Sequence, residues 1–214
     1  MKDELSNIRR DFNSGSLSDE NINKNPMAMF ANWLNEAIKK GISEPNAMTL
    51  STVNKKNEPS SRIVLLRGLD ERGFIFYTNY NSLKSKEIIG RDQVALNFFW
   101  PVLERQVRVK GMVKKLPDKE SDEYFASRPR ESQIAAWASP QNSVIESRKA
   151  LVERFAEVEK KLNNLQITRP SHWGGLVVFP HYYEFWQGGP FRFHDRFSYA
   201  LNKKNEWLID RLAP

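Results

Sequence analysis

In the segment RQVRVKGMVKKL, apolar and polar residues alternate. Val107, Val109 and Val113 fall on one face of a strand, and Gln106, Arg108, Lys110 and Lys114 on the other. A strand of that kind has one face in a core and one in water, the habit of antiparallel sheets. AMTLSTV, SRIVLLRGL, FIFYTN and QVALNFFW precede it, separated by NKKNEP and DERG turns and by the turn around Pro101. GGLVVF, YYEFWQ, RFSYAL and EWLIDRL follow later, the last two joined by NKKN. With no βαβ alternation and no G-x-G-x-x-G, the chain does not read as a parallel dinucleotide fold. The expected fold class is mainly β with flanking helices (α+β), an antiparallel barrel or sandwich with helices outside.

The helices have their own signals. Asn25-Pro26 reads as cap and first turn, Phe30, Trp33, Leu34, Ala37 and Ile38 recur at helical spacing, and Gly41 suits the stop. Ser82 is placed to cap a helix containing Lys84 and Lys86, and Asp118 to cap DKESDEYFASR. Pro129 restarts a short helix through SQIAAWA. Glu146 to Leu162 forms an amphipathic helix with Leu151, Phe155, Val158 and Leu162 along its stripe. Residues 1–24 are polar and read as a loose N-terminal arm, and 25–214 as one domain.

Composition narrows the chemistry. Cysteine is absent, so disulfides, thiolate catalysis and cysteine-ligated metals are excluded. The three histidines, His172, His181 and His194, are too scattered for a metal site, and no G-x-S-x-G supports a serine nucleophile. No apolar run is long enough to span a membrane, and MKDELSNIRRDF lacks the apolar core of a secretory signal, so the expected location is cytoplasmic. A surplus of 33 Lys+Arg over 26 Asp+Glu gives +7 and favours anionic partners.

Three clusters could hold an anion. Arg62 and Arg67 flank an almost continuous apolar run, as in a strand buried on both faces, and Tyr77-Thr78-Asn79 leads into the Lys84 helix. A helix N-terminus with cations and hydroxyls beside it suits a phosphate. In YFASRPRES, Tyr124 and Arg128 share a helix face and Ser132 follows a turn later. In EFWQGGPFRFHDR, Arg192, His194 and Arg196 are spaced to project from one strand face. Such a row repels itself unless an anion or carboxylate answers it.

These segments together resemble the pyridoxine (pyridoxamine) 5′-phosphate oxidase family, FMN enzymes of vitamin B6 metabolism. RIVLLR, FYTN, LERQVRV, YFxSRPRxSQIxAW, SxWGG, EFWQGG, R-x-HDR and DRLAP occur in order from about Arg9 to the C-terminus. The resemblance implies a split β-barrel, FMN-binding and Greek-key-like, in a homodimer with FMN at the subunit interface. It implies FMN contacts at Arg62, Ile63, Val64, Leu65, Leu66, Arg67, Tyr77, Thr78, Lys84, Gln106, Gln141, Asn142, Trp186 and Arg196. Substrate contacts are implied at Arg9, Arg10, Asp11, Phe12, Arg67, Tyr124, Arg128, Ser132, Arg192 and His194, the last two nearest the chemistry.

The implied reaction is oxidation of pyridoxamine 5′-phosphate or pyridoxine 5′-phosphate by O2 to pyridoxal 5′-phosphate, with no metal, nucleic acid or membrane involved. Arg67 stands where the family commonly has Lys, Leu83 where it often has Arg, Asn142 for Ser and Phe193 for Leu. Two other readings stand beside this one: a related split-barrel flavoprotein with a different substrate, and a non-enzymatic nucleic-acid binder.

Overall fold

The computed structural model describes Glu4, Asn7, Ile8 and residues 10–214. Nine strands form one sheet: β1 (Ala47–Val53), β2 (Pro59–Leu65), β3 (Gly68–Asp70), β4 (Gly73–Asn79), β5 (Gln93–Trp100), β6 (Arg105–Lys115), β7 (Trp173–Gln187), β8 (Asp195–Leu201) and β9 (Trp207–Leu212). The order is β2-β1-β5-β6-β7-β4-β3, with β8 also on β7 and β9 on β8; the pairings are antiparallel. Helices that pack around it, among the described residues, include α1 (Pro26–Lys39), α2 (Leu83–Gly90), α3 (Asp118–Ala126), α4 (Arg130–Ala138) and α5 (Arg148–Lys161). Among the described residues, no helix is long and apolar enough to cross a membrane.

The alternation read in β6 holds along its length, with Val107, Val109, Gly111 and Val113 buried and Arg108, Lys110, Met112 and Lys114 exposed. The sheet curls around the buried rings this pattern collects, the split β-barrel expected from the sequence. Phe30 of α1 is fully buried against Phe74 at 4.8 Å and Phe98 at 4.7 Å between ring centroids. Such ring pairs contribute about 0.5–1.5 kcal/mol each beyond simple burial. Asn25 caps α1 by accepting hydrogen bonds from Met27 N and Ala28 N, and Gly41 ends it at φ +65°. Ile38, placed on the apolar stripe by spacing, faces solvent instead.

Several sequence expectations are corrected. GGLVVF and YYEFWQ are one fifteen-residue strand, β7, whose middle carries a bulge: Gly111 pairs with Pro180 and Lys110 with Tyr182, leaving His181 without a partner. A bulge is where a sheet accommodates a proline such as Pro180, which has no N–H to give. SRIVLLRGL, conversely, divides into β2 and β3. β2 is an edge strand, not one buried on both faces, and Ile63 is 64% exposed. Asp118 does not cap α3: Pro117 occupies that position, and Asp118 accepts from Arg169. Ser82 precedes α2 without capping it, since its hydroxyl bonds Ser85 and the Leu83 N–H goes to Asn142 Oδ1. α5 begins at Arg148, with Ser147 capping through Ala150 N.

The bulge generates a prediction. A Cβ on Gly111 would lie 2.5 Å from the Phe179 carbonyl oxygen and 2.7 Å from Val178 Cγ1. Gly111→Ala is expected to destabilise the fold by about 1–3 kcal/mol through overpacking, measured by urea denaturation. A variant as stable as the parent would show that β6 and β7 separate there at no cost.

Candidate active site

A cavity of about 600 Å³ opens between β2, β4, the start of α2 and the α3–α4 layer. Its wall includes Arg62, Ile63, Val64, Leu65, Arg67, Tyr77, Thr78, Lys84, Tyr124, Arg128, Gln141 and Asn142. All twelve are candidates from the sequence. Trp173, Asn79 and Leu83 also line it. Trp173 opens β7 in the S-x-W-G-G motif, and that motif was its only signal.

The cavity's cations differ in how they are neutralised. Arg62 is held from behind: its Nη2 lies 3.2 Å from Glu87 Oε2, and Glu87 is buried and also accepts from the Thr52 and Ser60 hydroxyls. Burial works to raise the Glu87 pKa, but those hydroxyls and Arg62 outweigh it and hold the carboxylate below its usual range. Lys84 is buried on the first turn of α2, and its ammonium donates only to hydroxyls, Thr78 Oγ1 at 3.3 Å and Ser82 Oγ at 3.2 Å. Burial, then Arg62, lowers its pKa. Among the described residues no carboxylate pairs with it.

Arg128 follows α3 and stacks on Trp173, with the guanidinium carbon 4.6 Å from the ring centroid. Its Nη1 is buried and makes no hydrogen bond, and burial lowers its pKa. An unsatisfied buried donor on a cation is costly unless a ligand completes it. Tyr124 stacks on Tyr77 with centroids 3.7 Å apart, and burial followed by Tyr124 pushes the Tyr77 phenol up to about 12, so it remains a donor. Trp173 is fixed by a separate apolar cluster of Phe125, Ile134, Ala136 and Ile167, against which Phe155 and Val158 of α5 and Leu162 just after it pack.

The remaining candidates do not line this cavity. Leu66 is buried in the barrel core. Ser132 lies in the first turn of α4, neither capping it nor reaching the cavity. Arg9 lies outside the described residues, and Asp11 is exposed.

The others form a second cluster. Gln106, Trp186 and Arg196 stand opposite one another across β6, β7 and β8 and so share a sheet face. Thr78 pairs with Gly174, twelve residues before Trp186 on β7 (186 − 174). At about 3.3 Å per residue, that is roughly 40 Å along the strand. His194 lies 4.8 Å from Trp186 between ring centroids, and Phe12 sits edge-on to both. Buried Glu184 accepts from Arg196 Nη2 at 3.0 Å and from Arg108 Nη1 at 3.0 Å. It is the carboxylate the basic row required, and sequence spacing gave no sign of it.

The basic row itself is corrected. β8 begins only at Asp195, and Arg192 ends a 3₁₀ turn, Pro190–Arg192, in which Phe191 and Arg192 hold positive φ. Non-glycine residues rarely adopt that region. The turn removes Arg192 from the strand face. His194 Nδ1 accepts the Gly189 N–H at 3.1 Å, which leaves the ring proton on Nε2.

A family model described as pyridoxamine 5′-phosphate oxidase matches residues 34–162. The chain belongs to the pyridoxamine 5′-phosphate oxidase family. A second model, the pyridoxine 5′-phosphate oxidase C-terminal dimerisation region, matches residues 173–214. Among curated members of the oxidase family, the pyridoxine/pyridoxamine 5′-phosphate oxidase of Teredinibacter turnerae is 50% identical over 210 residues, covering 98% of this chain and 99% of its own. The one from Gloeothece citriformis is 45% identical over the whole of both chains. Among solved structures, PhzG from Burkholderia lata 383, in complex with tetrahydrophenazine-1-carboxylic acid, aligns with a TM-score of 0.86 at 27% identity. It covers 92% of this chain and 98% of its own.

Partial burial, and then the neighbouring Arg192, hold the His194 imidazole below its ordinary value of 6.5. It is therefore neutral at neutral pH and gains its proton only as pH falls below that value. An NMR titration is expected to place its midpoint below 6.5, and Arg192→Ala to raise it by removing a like charge. No change in that variant would mean Arg192 does not act on the ring.

Proposed function

We propose that the protein is an FMN-dependent oxidase that converts pyridoxamine 5′-phosphate or pyridoxine 5′-phosphate to pyridoxal 5′-phosphate, with O2 as acceptor and hydrogen peroxide released. It works as a homodimer with FMN at the subunit interface. The observation that carries this reading is the pair Lys84, which is buried, and Arg128, half-buried with a buried Nη1 that makes no hydrogen bond. Both line one cavity, and among the described residues neither has a carboxylate partner, an arrangement suited to two phosphates. Flavin and vitamer each bring one.

The residues fit these groups. Lys84, with the Thr78 and Ser82 hydroxyls and Arg62 beside it, would hold the FMN phosphate. Arg128 and Tyr124 would hold the vitamer phosphate, with Arg67 at the cavity wall. When bound, FMN supplies the two-electron acceptor that the protein's own side chains lack. Net oxidation at the exocyclic carbon removes two electrons and two protons; the amine substrate also takes up water and releases ammonia. O2 takes the electrons and protons and leaves as H2O2.

The second cluster lies further along β7, twelve residues beyond Gly174, and would face the ligands of a partner copy. Trp186, Gln106 and Arg196 would flank the flavin there, and Arg192 and His194 the vitamer. Because Nδ1 of His194 is occupied by Gly189, the ring presents Nε2–H and acts as a donor that orients substrate oxygen or nitrogen. Arg192, whose guanidinium offers only hydrogen-bond donors, orients as well.

Two measurements test this. FMN-loaded protein is expected to oxidise both phosphorylated vitamers, and Arg128→Ala to raise KM by about 10- to 100-fold with flavin retained, the loss of one charge-assisted hydrogen bond. Protein that binds FMN but oxidises neither vitamer would reassign the substrate.

The interface claim has its own test. Arg128→Ala and Arg196→Ala lie in different clusters, so mixed dimers carry one intact site. Random reassortment of the two variants should restore roughly a quarter of wild-type activity, since half the dimers are mixed and each has one good site of two. Absence of any recovery would place both clusters in the same chain's site.

A further inference from the structure

Glu104 lies in the turn between β5 and β6 at φ +53°, with only 5% of its surface exposed. A buried carboxylate in a left-handed backbone position needs compensation from several sides. Its side chain turns to the N-terminal segment: Oε2 accepts the Ser14 N–H at 2.9 Å, and Oε1 is 3.7 Å from Arg10 Nη1. Arg10 Nη2 also donates to the Pro101 carbonyl at 3.0 Å. Burial works to raise the Glu104 pKa, while the Ser14 and Asn13 donors and Arg10 outweigh it, so the group stays ionised.

Its backbone turns the other way. The Glu104 carbonyl accepts the Gly188 N–H at 2.8 Å, and the Gln187 side chain bonds the Leu103 carbonyl at 3.1 Å. One residue thus fastens two segments that also meet through Phe12 and Gly15. Phe12 lies between those fastenings, edge-on to Trp186 at 5.7 Å and to His194 at 5.4 Å. The fit is close: a Cβ on Gly188 would be 2.8 Å from Phe12 Cδ1.

We propose that Glu104 is a positioning residue for the Trp186–His194 ligand face. Its carboxylate holds segment 10–14 so that Phe12 closes the edge of that face, and its carbonyl sets the Gly188 turn against the same ring. The ligand part of this inference rests on the oxidase reading above. The anchoring part does not.

The test uses FMN-loaded, full-length protein and three variants, Glu104→Ala, Glu104→Gln and Phe12→Ala. Hydrogen exchange of the 10–17 segment is measured without substrate. Glu104→Ala should exchange at least about tenfold faster at Ser14, the loss of one hydrogen bond to a charged group. Glu104→Gln, which keeps an acceptor but not the charge, should fall between. In steady state the vitamer KM should rise several-fold in Glu104→Ala and in Phe12→Ala, with kcat changed less and flavin content unchanged. Phe12→Ala keeps the Ser14 bond, so it tests the ligand edge even if Glu104→Ala does not fold.

Unchanged exchange in Glu104→Ala would overturn the anchor. Faster exchange with an unchanged KM would overturn the link to the ligand face. An enzyme inactive on both vitamers would remove the earlier reading and the ligand part with it, while the exchange result would still decide the anchor.

Discussion

Continuous hydrogen bonding along β7 determines the layout of this molecule. The strand is paired with β6 over nearly its whole length, with β4 at its first half and with β8 at its second. Backbone groups in a sheet interior have no water to fall back on, so the pairing fixes where each neighbouring strand begins and ends. Tyr77 and Thr78 are thereby set at one end and Gln106, Trp186 and Arg196 at the other. Residues 173–214, which carry Trp186 and Arg196, match a family model described as a dimerisation region.

Charge is distributed with equal consequence. Arg62 and Arg196 each have a buried carboxylate behind them, Glu87 and Glu184. Those pairs fix a guanidinium in place and leave little net charge to give a ligand. Among the described residues Lys84 and Arg128 have none, so their charge is available to an anion that enters. The same protein thus contains cations that orient and cations that attract, and burial alone does not distinguish them.

Much of this was legible in the chain. The alternation in β6, the Asn25-Pro26 start of α1 and the aromatic runs of β4 and β5 are local patterns, and local patterns survive folding. The cavity wall was legible through motifs, from Arg62 to Asn142. What escaped depends on residues distant in sequence. Glu87, Glu104 and Glu184 look like ordinary charges until the sheet brings Ser60, Ser14 and Arg108 to them. GGLVVF and YYEFWQ read as two strands because only the long-range pairing with β6 carries the chain through Pro180 and His181 as a bulge. Arg192 was assigned to a strand because nothing in PFRF announces two consecutive non-glycine residues at positive φ. Leu66 belongs to a motif whose other members line the cavity, and packing places it in the barrel core instead.

The unpaired His181 has a consequence for how the chain can vary. Before it, the even-numbered residues Leu176 and Val178 point inward; after it, the odd-numbered Tyr183 and Phe185 do. Removing that one residue would close the bulge into a regular ladder, with Pro180 still on Gly111 and Tyr182 on Lys110, so Tyr183 and Phe185 would stay inward. A one-residue loss in β5, which pairs with β6 without a bulge, has no such slack and would turn every later side chain of that strand to the other face. The bulge is thus the point at which β7 can shorten by one residue and keep Phe185 in the barrel.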